Sequence, residues 1–589
     1  MRLDLPGILV ACTMIPAVPA QAALTISSDA TSQVSCTSGV CTATAAQAVL
    51  NVNDLTAMLA GGNVTLVSGK KARDIVIDVA FSWTSPDLLT LDADRGIAIN
   101  QPVVVAGTGS LAMTINDGGS GGDLRFANKG HVEFWDTGSG LVIEGHSYVL
   151  VKNIRQLAAK IANSPNGFYA LANKDNEAKS GTYGGSPVPT SFSGIFEGLG
   201  NSIARLTVAD QTAPPHIGLF DQLGPTGVLR DVTLSKVSFS DYAQSAIGAL
   251  VGDNQGTVSN SSVSGQVTNM FEACAGSLVG FNERGATVLN SHSTANLTAN
   301  YGGSVDAGGL VGCSDGTIQS SVSKGDVQSQ CCSFVGGLVG YNMSHGIVAS
   351  SSASGTISAA DNNALVGGLV GRSDGAIQTS FASGDVSGTD QVGGLVGGTS
   401  NGTITQSHAS GNVTLSPEMG ASGGGLVGQS TSAISQSYAT GNVTGGDGQL
   451  VGGLVGINYS SVQDSYAFGS ATSSGSGTGA GGLVGLNVGM IARAYSTGAP
   501  QDTGGKTGGS VGWDNASPGS IGSDYWDTTT SGITNLSQGA GNVANDPGIT
   551  GLTTTQLQSG LPTGFGSTVW GEVSDINDGL PYLLLLPPK

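Results

Sequence analysis

Apolar residues in this chain come in short, evenly spaced runs. From about Ile247 the triplet Leu-Val-Gly opens unit after unit. It begins at Leu250, Leu278, Leu310, Leu338, Leu369, Leu395, Leu426, Leu454 and Leu483, with a degenerate tenth copy at Ser510-Val511-Gly512. Successive anchors lie 26 to 32 residues apart. Counting Leu310 as zero, Gly316 stands at +6, Ile318 at +8, Ser321 at +11, Gly325 at +15 and Val327 at +17. The unit from Leu369 repeats these offsets with Gly375, Ile377, Ser380, Gly384 and Val386. Each apolar run is short and ends in Gly, Asn, Asp or Ser, a strand-and-turn rhythm with no room for a helix inside a unit. A period of this length marks stacked units that cannot bury their apolar faces alone. The predicted fold is all-β. It is a right-handed parallel β-helix, a solenoid of about ten repeats of ~29 residues with three short strands per coil.

The columns give each position a task. Leu at 0, Ile or Val at +8 and Val at +17 stack into a narrow core. Gly at +2, +6 and +15 is expected to supply positive φ at tight corners. The +4 position reads Asn254, Asn282, Ser314, Asn342, Ser373, Thr399, Ser430, Asn458, Asn487 and Asp514. A small polar residue at a corner can bond its own turn, and Asn can also bond the next coil. Asn254, Asn282, Asn342, Asn458 and Asn487 are therefore expected to form a structural ladder.

Outside the repeat, Leu89-Thr90-Leu91, Ile97-Ala98-Ile99, Val103-Val104-Val105, Met113-Thr114-Ile115 and Leu141-Val142-Ile143 read as successive strands. Two short helices interrupt the pattern. Asn153 caps one with Ile154, Leu157, Ala158 and Ile161 on a single face, and Asn53 caps another through Leu55, Met58 and Leu59. An open end coil exposes unpaired edges, so terminal caps are expected. The predicted division is 1–22 leader, 23–80 N-terminal cap, 81–150 first coils, 151–246 helix and opening coils, 247–527 repeat solenoid and 528–589 C-terminal cap.

The leader is read from Arg2, the apolar stretch Leu5 to Val18 and the small-x-small site Ala20-Gln21-Ala22. A lipid-anchor spelling, Leu9-Val10-Ala11-Cys12, follows too short an apolar run to be preferred. Export permits disulfides. Cys36 and Cys41 flank a hairpin-sized loop and are expected to pair. Cys274, Cys313, Cys331 and Cys332 allow three pairings, which sequence leaves open. Metal binding is the competing reading for these cysteines, but no CxxC or Cys/His spacing supports it. No apolar run is long enough to span a bilayer as a helix, and Leu583 to Leu586 reads as a last docked strand.

Charge narrows the partners. There are 21 Lys+Arg against 41 Asp+Glu, a net charge of −20, which disfavours nucleic acid and anionic membranes. With 95 Gly but no G-X-Y period, collagen is excluded.

The pattern Gly-Gly-Leu-Val-Gly-x-Asn/Ser-x-Gly-x-Ile-x-x-Ser-x-Ala-x-Gly-x-Val, recurring from Ile247 to Tyr525, resembles the GLUG motif of bacterial surface proteins. Phe192 to Asn201 resembles that family's opening coil, and Ile217-Gly218-Leu219-Phe220 its second. Tyr525-Trp526-Asp527-Thr528 and Gly579-Leu580-Pro581-Tyr582-Leu583 resemble its ending. The segment Leu88 to Ile143 resembles passenger coils of filamentous-haemagglutinin-type adhesins. The resemblance implies export to the cell surface or medium, or to the periplasm if no further route exists. It implies adhesion, and it does not imply an enzyme or a cofactor.

Parallel β-helices also carry polysaccharide lyases and glycosidases, and a glycosidase needs paired acids. Asp315 and Asp374 share +5, and Asp326 and Asp385 share +16, each pair two coils apart. That puts them about 10 Å apart, beside turn glycines, where a role in the turn is the simpler reading. Arg284, Lys324, Arg372, Arg493 and Lys506 are scattered, and no histidine lies in an HExxH pattern. Gly445 to Gly448 and Asp117 to Asp123 resemble calcium-binding glycine loops, each in a single copy. No catalytic site and no metal are expected.

The +12 column carries the functional expectation. It reads His292, Val322, Ser352, Phe381, His408, Tyr438, Tyr466, Tyr495 and Tyr525, with a ring in every coil from Phe381 onward. Rings one coil apart can stack and stabilise the solenoid. The sharper reading makes Phe381, His408, Tyr438, Tyr466, Tyr495 and Tyr525 a strip for a polysaccharide or another host or bacterial surface ligand. A passive envelope or matrix component and a polysaccharide-degrading enzyme are the alternatives.

Overall fold

In a computed structural model, residues 22–210, 214–241, 245–269, 274–300, 305–330, 333–361, 363–417, 420–475 and 477–588 are described. The expected leader, apart from Ala22, lies outside them, as do Cys331 and Cys332. The chain divides into two compact units, one ending at Tyr148 and one starting at Val149.

The first unit is a three-walled parallel solenoid. One wall runs Leu124–Phe126, Ile97–Ile99, Asp74–Ile77, Ala23–Ser27, Gln47–Asn51; another runs Val132–Phe134, Val103–Val105, Phe81–Trp83. The expected strands fall in register in these walls and in the third, where Leu89, Leu111 and Leu141 align and stay buried. Residues Ala23–Ser27 pair in parallel with both Gln47–Asn51 and Asp74–Ile77, so the start of the described chain is sewn inside a wall. The far end of the third wall is closed by the antiparallel hairpin Val34–Thr37 with Val40–Ala43, crossed by a Cys36–Cys41 disulfide. A helix, Val52–Leu59, buries Leu55 and Leu59. Its cap is Asn51 rather than Asn53. The Asn51 amide also donates to Ser28 O and Asp29 O, which fixes it to accept from Asn53 N at 2.8 Å.

The second unit opens with the strand Val149–Val151 and the helix Ile154–Asn163, capped by Asn153, with Ile154, Leu157 and Ile161 buried. From Val149–Val151 one continuous sheet of 34 strands runs to Ile549–Leu552, beside two flank sheets of 11 strands each among the described residues. The flanks run from His216–Ile217 to Lys506–Gly508 and from Phe220–Leu223 to Val511–Asp514. Each Leu-Val-Gly anchor enters the second flank, and Phe220–Leu223 adds one coil that lacks the triplet. The two units together hold about 17 turns, against the ten expected, because only coils with the anchor were counted. A coil also has more strands than three. The coil around Leu310 uses Val311–Ser314, Thr317–Gln319, Val322–Ser323, Val327–Ser329 and Ser333–Gly336.

The extra breaks come from a left-handed corner at about +10. Asn260, Asn290, Ser320, Ser350, Thr379, Gln406, Gln436, Asp464, Arg493 and Ser523 all have φ between 47° and 55°. The residue one step later closes this corner. Ser261, Ser291, Ser321, Ser351, Ser380, Ser407 and Ser437 each accept from the preceding coil's backbone or donate to the carbonyl two residues back, at 2.8–3.3 Å, and all are buried. A buried hydroxyl that donates and accepts costs nothing in lost hydration.

The anchor glycines work differently from expectation. Neither Gly312 and its equivalents at +2 nor Gly316 and Gly325 have positive φ, whereas Gly265, at +15 from Leu250, does, with φ 133°. They permit close approach. A β-carbon at Gly312 would lie 2.5 Å from Ala275 N, and one at Gly397 2.5 Å from Val366 N. The backbones of the two flanks therefore touch, coil after coil, with no side chain between them.

At +4 the polar residues form a buried ladder. Asn254 Nδ2 donates to Asn282 Oδ1 at 2.7 Å, and Asn282 Nδ2 to Ser314 Oγ at 3.0 Å. Asn342 donates to Ser373 at 3.0 Å, Asn458 to Asn487 at 2.9 Å, and Asn487 to the Asp514 carboxylate at 2.8 Å. Asn458 is fully buried and accepts from Ser460 N. Replacing it by Ala strands these partners, and the expected loss is about 1–3 kcal/mol. A lowered thermal midpoint measures it, with Asn458→Ser retaining part of the ladder.

The last coil carries a buried acid. Asp524 accepts from Ser510 Oγ at 2.5 Å, and burial pushes its carboxyl up to about 8, with Asp546 adding to the rise. The folded chain keeps a proton that the unfolded chain releases near pH 4. Stability from this group is thus full below about pH 4 and declines as pH rises through about 8. Melting temperatures between pH 5 and pH 8.5 are expected to fall less steeply in Asp524→Asn than in the parent.

Candidate functional site: the aromatic column

The +12 side chains stand on strands held in parallel register: Phe381 beside His408, then Tyr438, Tyr466, Tyr495 and Tyr525. Register at one coil per step makes the rings stack. Centroids lie 5.1 Å apart for Phe381–His408, 4.7 Å for His408–Tyr438, 4.8 Å for Tyr438–Tyr466 and 5.2 Å for Tyr466–Tyr495, with interplanar angles of 5° to 19°. Each such pair adds roughly 0.5–1.5 kcal/mol beyond burial.

The structure places most of this column under the chain's own C-terminal segment. Tyr466 and Tyr495 are fully buried, and Tyr438 and Tyr525 nearly so. They pack in one cluster with Leu557, Phe565, Trp570 and Leu583. Tyr495 Oη donates to Pro581 O at 2.6 Å and receives Asn577 Nδ2 at 3.1 Å. Tyr525 Oη donates to Thr563 O at 2.8 Å, and Trp570 Nε1 donates to Asp464 Oδ1 at 3.1 Å. The Tyr466 hydroxyl has no hydrogen-bond partner among the described residues. Burial pushes the Tyr438 phenol up to about 12 and those of Tyr466 and Tyr495 further. The expected solvent-facing strip is therefore corrected. Tyr438, Tyr466, Tyr495 and Tyr525 form a rail for the folded-back tail, and Phe381 and His408 are only partly buried. The physical reason is the apolar content of 554–588, which needs a wall to bury against.

Leu583 does dock, but by pairing antiparallel with Trp570–Gly571, and Leu584 and Leu585 stay exposed.

A second cluster was not legible in the repeat. Phe334 and Tyr341 meet edge to face at 5.2 Å, and the Arg372 guanidinium lies 5.3 Å and 5.6 Å from their centroids. Asp374 pairs with Arg372 at 3.1 Å and accepts from Tyr341 Oη at 2.6 Å. Its column reads Asp253, Phe281, Cys313, Tyr341, Arg372 and Gly398 along the register, so no recurring residue type announces it.

The acids weighed for catalysis are engaged between coils. Asp315 accepts from His345 N at 3.0 Å, Asp326 from Thr356 N at 2.9 Å, and Asp385 from Asn412 N at 2.8 Å. A disulfide joins Cys274 to Cys313, one of the pairings left open.

Comparison with known proteins fits this architecture. The GLUG motif is matched over residues 335–358 and 388–414. Halomucin of Haloquadratum walsbyi is 30% identical over 133 residues, 23% of this chain and about 1% of that much longer protein. A solved structure described as that of a candidate immunoglobulin A1 protease from Bacteroides ovatus aligns over 75% of this chain and 92% of its own, at 13% identity and a TM-score of 0.26, and carries no argument. The chain is a β-solenoid that carries GLUG motifs at residues 335–358 and 388–414.

Proposed function

We propose that this is an exported, adhesin-like bacterial surface or extracellular protein that binds a glycan without catalysis. The observation that carries the reading is the first ring pair of the stack. Phe381 and His408 are parallel within 9°, only partly buried, and continuous with a rigid buried rail. A pre-set ring face on a rigid element suits the apolar face of a sugar, because little side-chain freedom is lost on binding. The leader, the disulfides and the likeness to haemagglutinin-type passengers support export. The involvement of the four weighed acids in contacts between or within coils favours binding over bond cleavage.

The test is one incubation of residues 23–589 with a panel of bacterial, plant and host polysaccharides, scoring retention and released sugar ends together. Retention without product is expected, and Phe381→Ala with His408→Ala is expected to weaken it at least tenfold. Product release, or retention indifferent to both substitutions, overturns the reading. No retention at all favours a passive structural role, for which the continuous ladders are sufficient.

A further inference from the structure

The two flanks bring sulfur and carboxylate together at one place. Cys274 stands in the strand Cys274–Gly276, Asp306 is its register partner one coil on, and Cys313 follows in the opposite flank. The disulfide between Cys274 and Cys313 closes over 39 residues. The Asp306 Oδ2 atom lies 3.5 Å from Cys313 Sγ. A disulfide sulfur carries no proton, so this contact is not a hydrogen bond while the bridge is intact.

Reduction changes what this place can do. The two sulfurs and a carboxylate oxygen lie within 4.8 Å of one another. Ligands around a tetrahedral zinc sit about 2.0–2.3 Å from the metal, hence roughly 3.3–3.8 Å from each other, which side-chain rotation reaches from here. We infer that opening the Cys274–Cys313 bridge creates a binding site for a thiophilic divalent cation, held by the two thiolates and the Asp306 carboxylate. An external dithiol supplies two electrons and two protons, the S–S bond breaks, both cysteines become thiols, and the dithiol becomes a disulfide. The cation then displaces the two thiol protons and any proton on Asp306, forming two metal–sulfur bonds and one metal–oxygen bond. Three negative ligands in a half-buried corner repel one another, and the divalent charge offsets that repulsion. Disulfide and metal are thus alternative staples of the same two flanks, selected by redox conditions.

The full chain with Cys36→Ser and Cys41→Ser, which removes the other disulfide that a dithiol would open, is titrated with Cd²⁺ under anaerobic conditions, before and after dithiol treatment and its removal. The thiolate-to-cadmium charge-transfer absorption and the metal retained on gel filtration are read together. One Cd²⁺ per chain is expected after reduction and none before. Cys274→Ser and Cys313→Ser each abolish the signal, and Asp306→Asn, which keeps the shape, weakens binding roughly tenfold or more through loss of one of three ligands. Cys331→Ser with Cys332→Ser leaves it unchanged. The inference is overturned if the reduced chain takes up no metal. It is also overturned if Asp306→Asn binds as tightly as the parent, or if the signal follows Cys331 and Cys332 instead.

Discussion

Replacing Gly397 by Val is expected to lower stability by about 3 kcal/mol or more. The β-carbon alone would sit 2.5 Å from Val366 N and 2.6 Å from Gly371 O. Both atoms belong to backbone held in sheets, so neither can move aside without parting the flanks. Overpacking in an ordinary core is relieved by rotamer changes. Here there is no rotamer to change. Gly285 supplies the contrast: it has φ +86° and nothing within 4 Å of its would-be β-carbon. Gly285→Ala strains only its own backbone and should cost about 1 kcal/mol. Thermal and urea midpoints of the two variants separate close approach from backbone conformation. Equal, small losses in both would show that the flanks do not touch. Because a solenoid need not unfold in one step, the Gly397 variant is also expected to broaden its transition.

Truncating Trp570 to Ala is expected to free the C-terminal segment while the coils stay folded. Trp570 is almost fully buried, stacks on Phe565 at 4.4 Å and donates to Asp464. Loss of a buried Trp side chain costs about 3–5 kcal/mol. That loss falls on the tail, which packs against the tyrosine column outside the solenoid core, so it is local rather than global. Two readouts follow. Limited proteolysis should cleave within 554–588 in the variant and leave the solenoid intact. In an alkaline titration, burial holds Tyr466 and Tyr495 neutral well above the usual range in the parent. In the variant they should ionise near the ordinary tyrosine value of about 10. An unchanged titration would show that the tail does not cover the rings. A variant that exposes them also tests whether a longer ring stack strengthens glycan retention.

The solenoid was legible because its signals repeat. Leu at 0, Ile or Val at +8 and Val at +17 occur in coil after coil, and the structure buries them all along the unit. The Asn column was legible for the same reason. Glycine was located but misread, since both positive φ and close approach select against a β-carbon, and sequence does not distinguish them. The left-handed corner at +10 was hidden because Asn, Ser, Thr, Gln, Asp and Arg all occupy it. The tail over the tyrosines was hidden for a deeper reason. Trp570 meets Asp464 across 106 residues, and Trp570 lies outside the repeat. The helix at 52–59 was found with its cap displaced, because Asn51 and Asn53 are equally good caps until tertiary bonds choose between them.

The +4 ladder has a direction, and that direction bears on how such a chain can change its length. Each asparagine gives its amide hydrogens to the coil that follows. At the last step Asn487 meets Asp514, whose carboxylate has nothing to pass on. Asn542 then closes the end by bonding the Asp514 backbone at both N and O. An internal unit can be duplicated or deleted in the gene and every remaining donor still finds an acceptor. Ser314 and Ser373 show how tolerant the array is: each gives its hydrogen to its own turn, at Gly316 O and Gly375 O, and the solenoid continues past both. Growth and shrinkage by recombination are thus permitted within the array, so chains built this way can differ widely in reach.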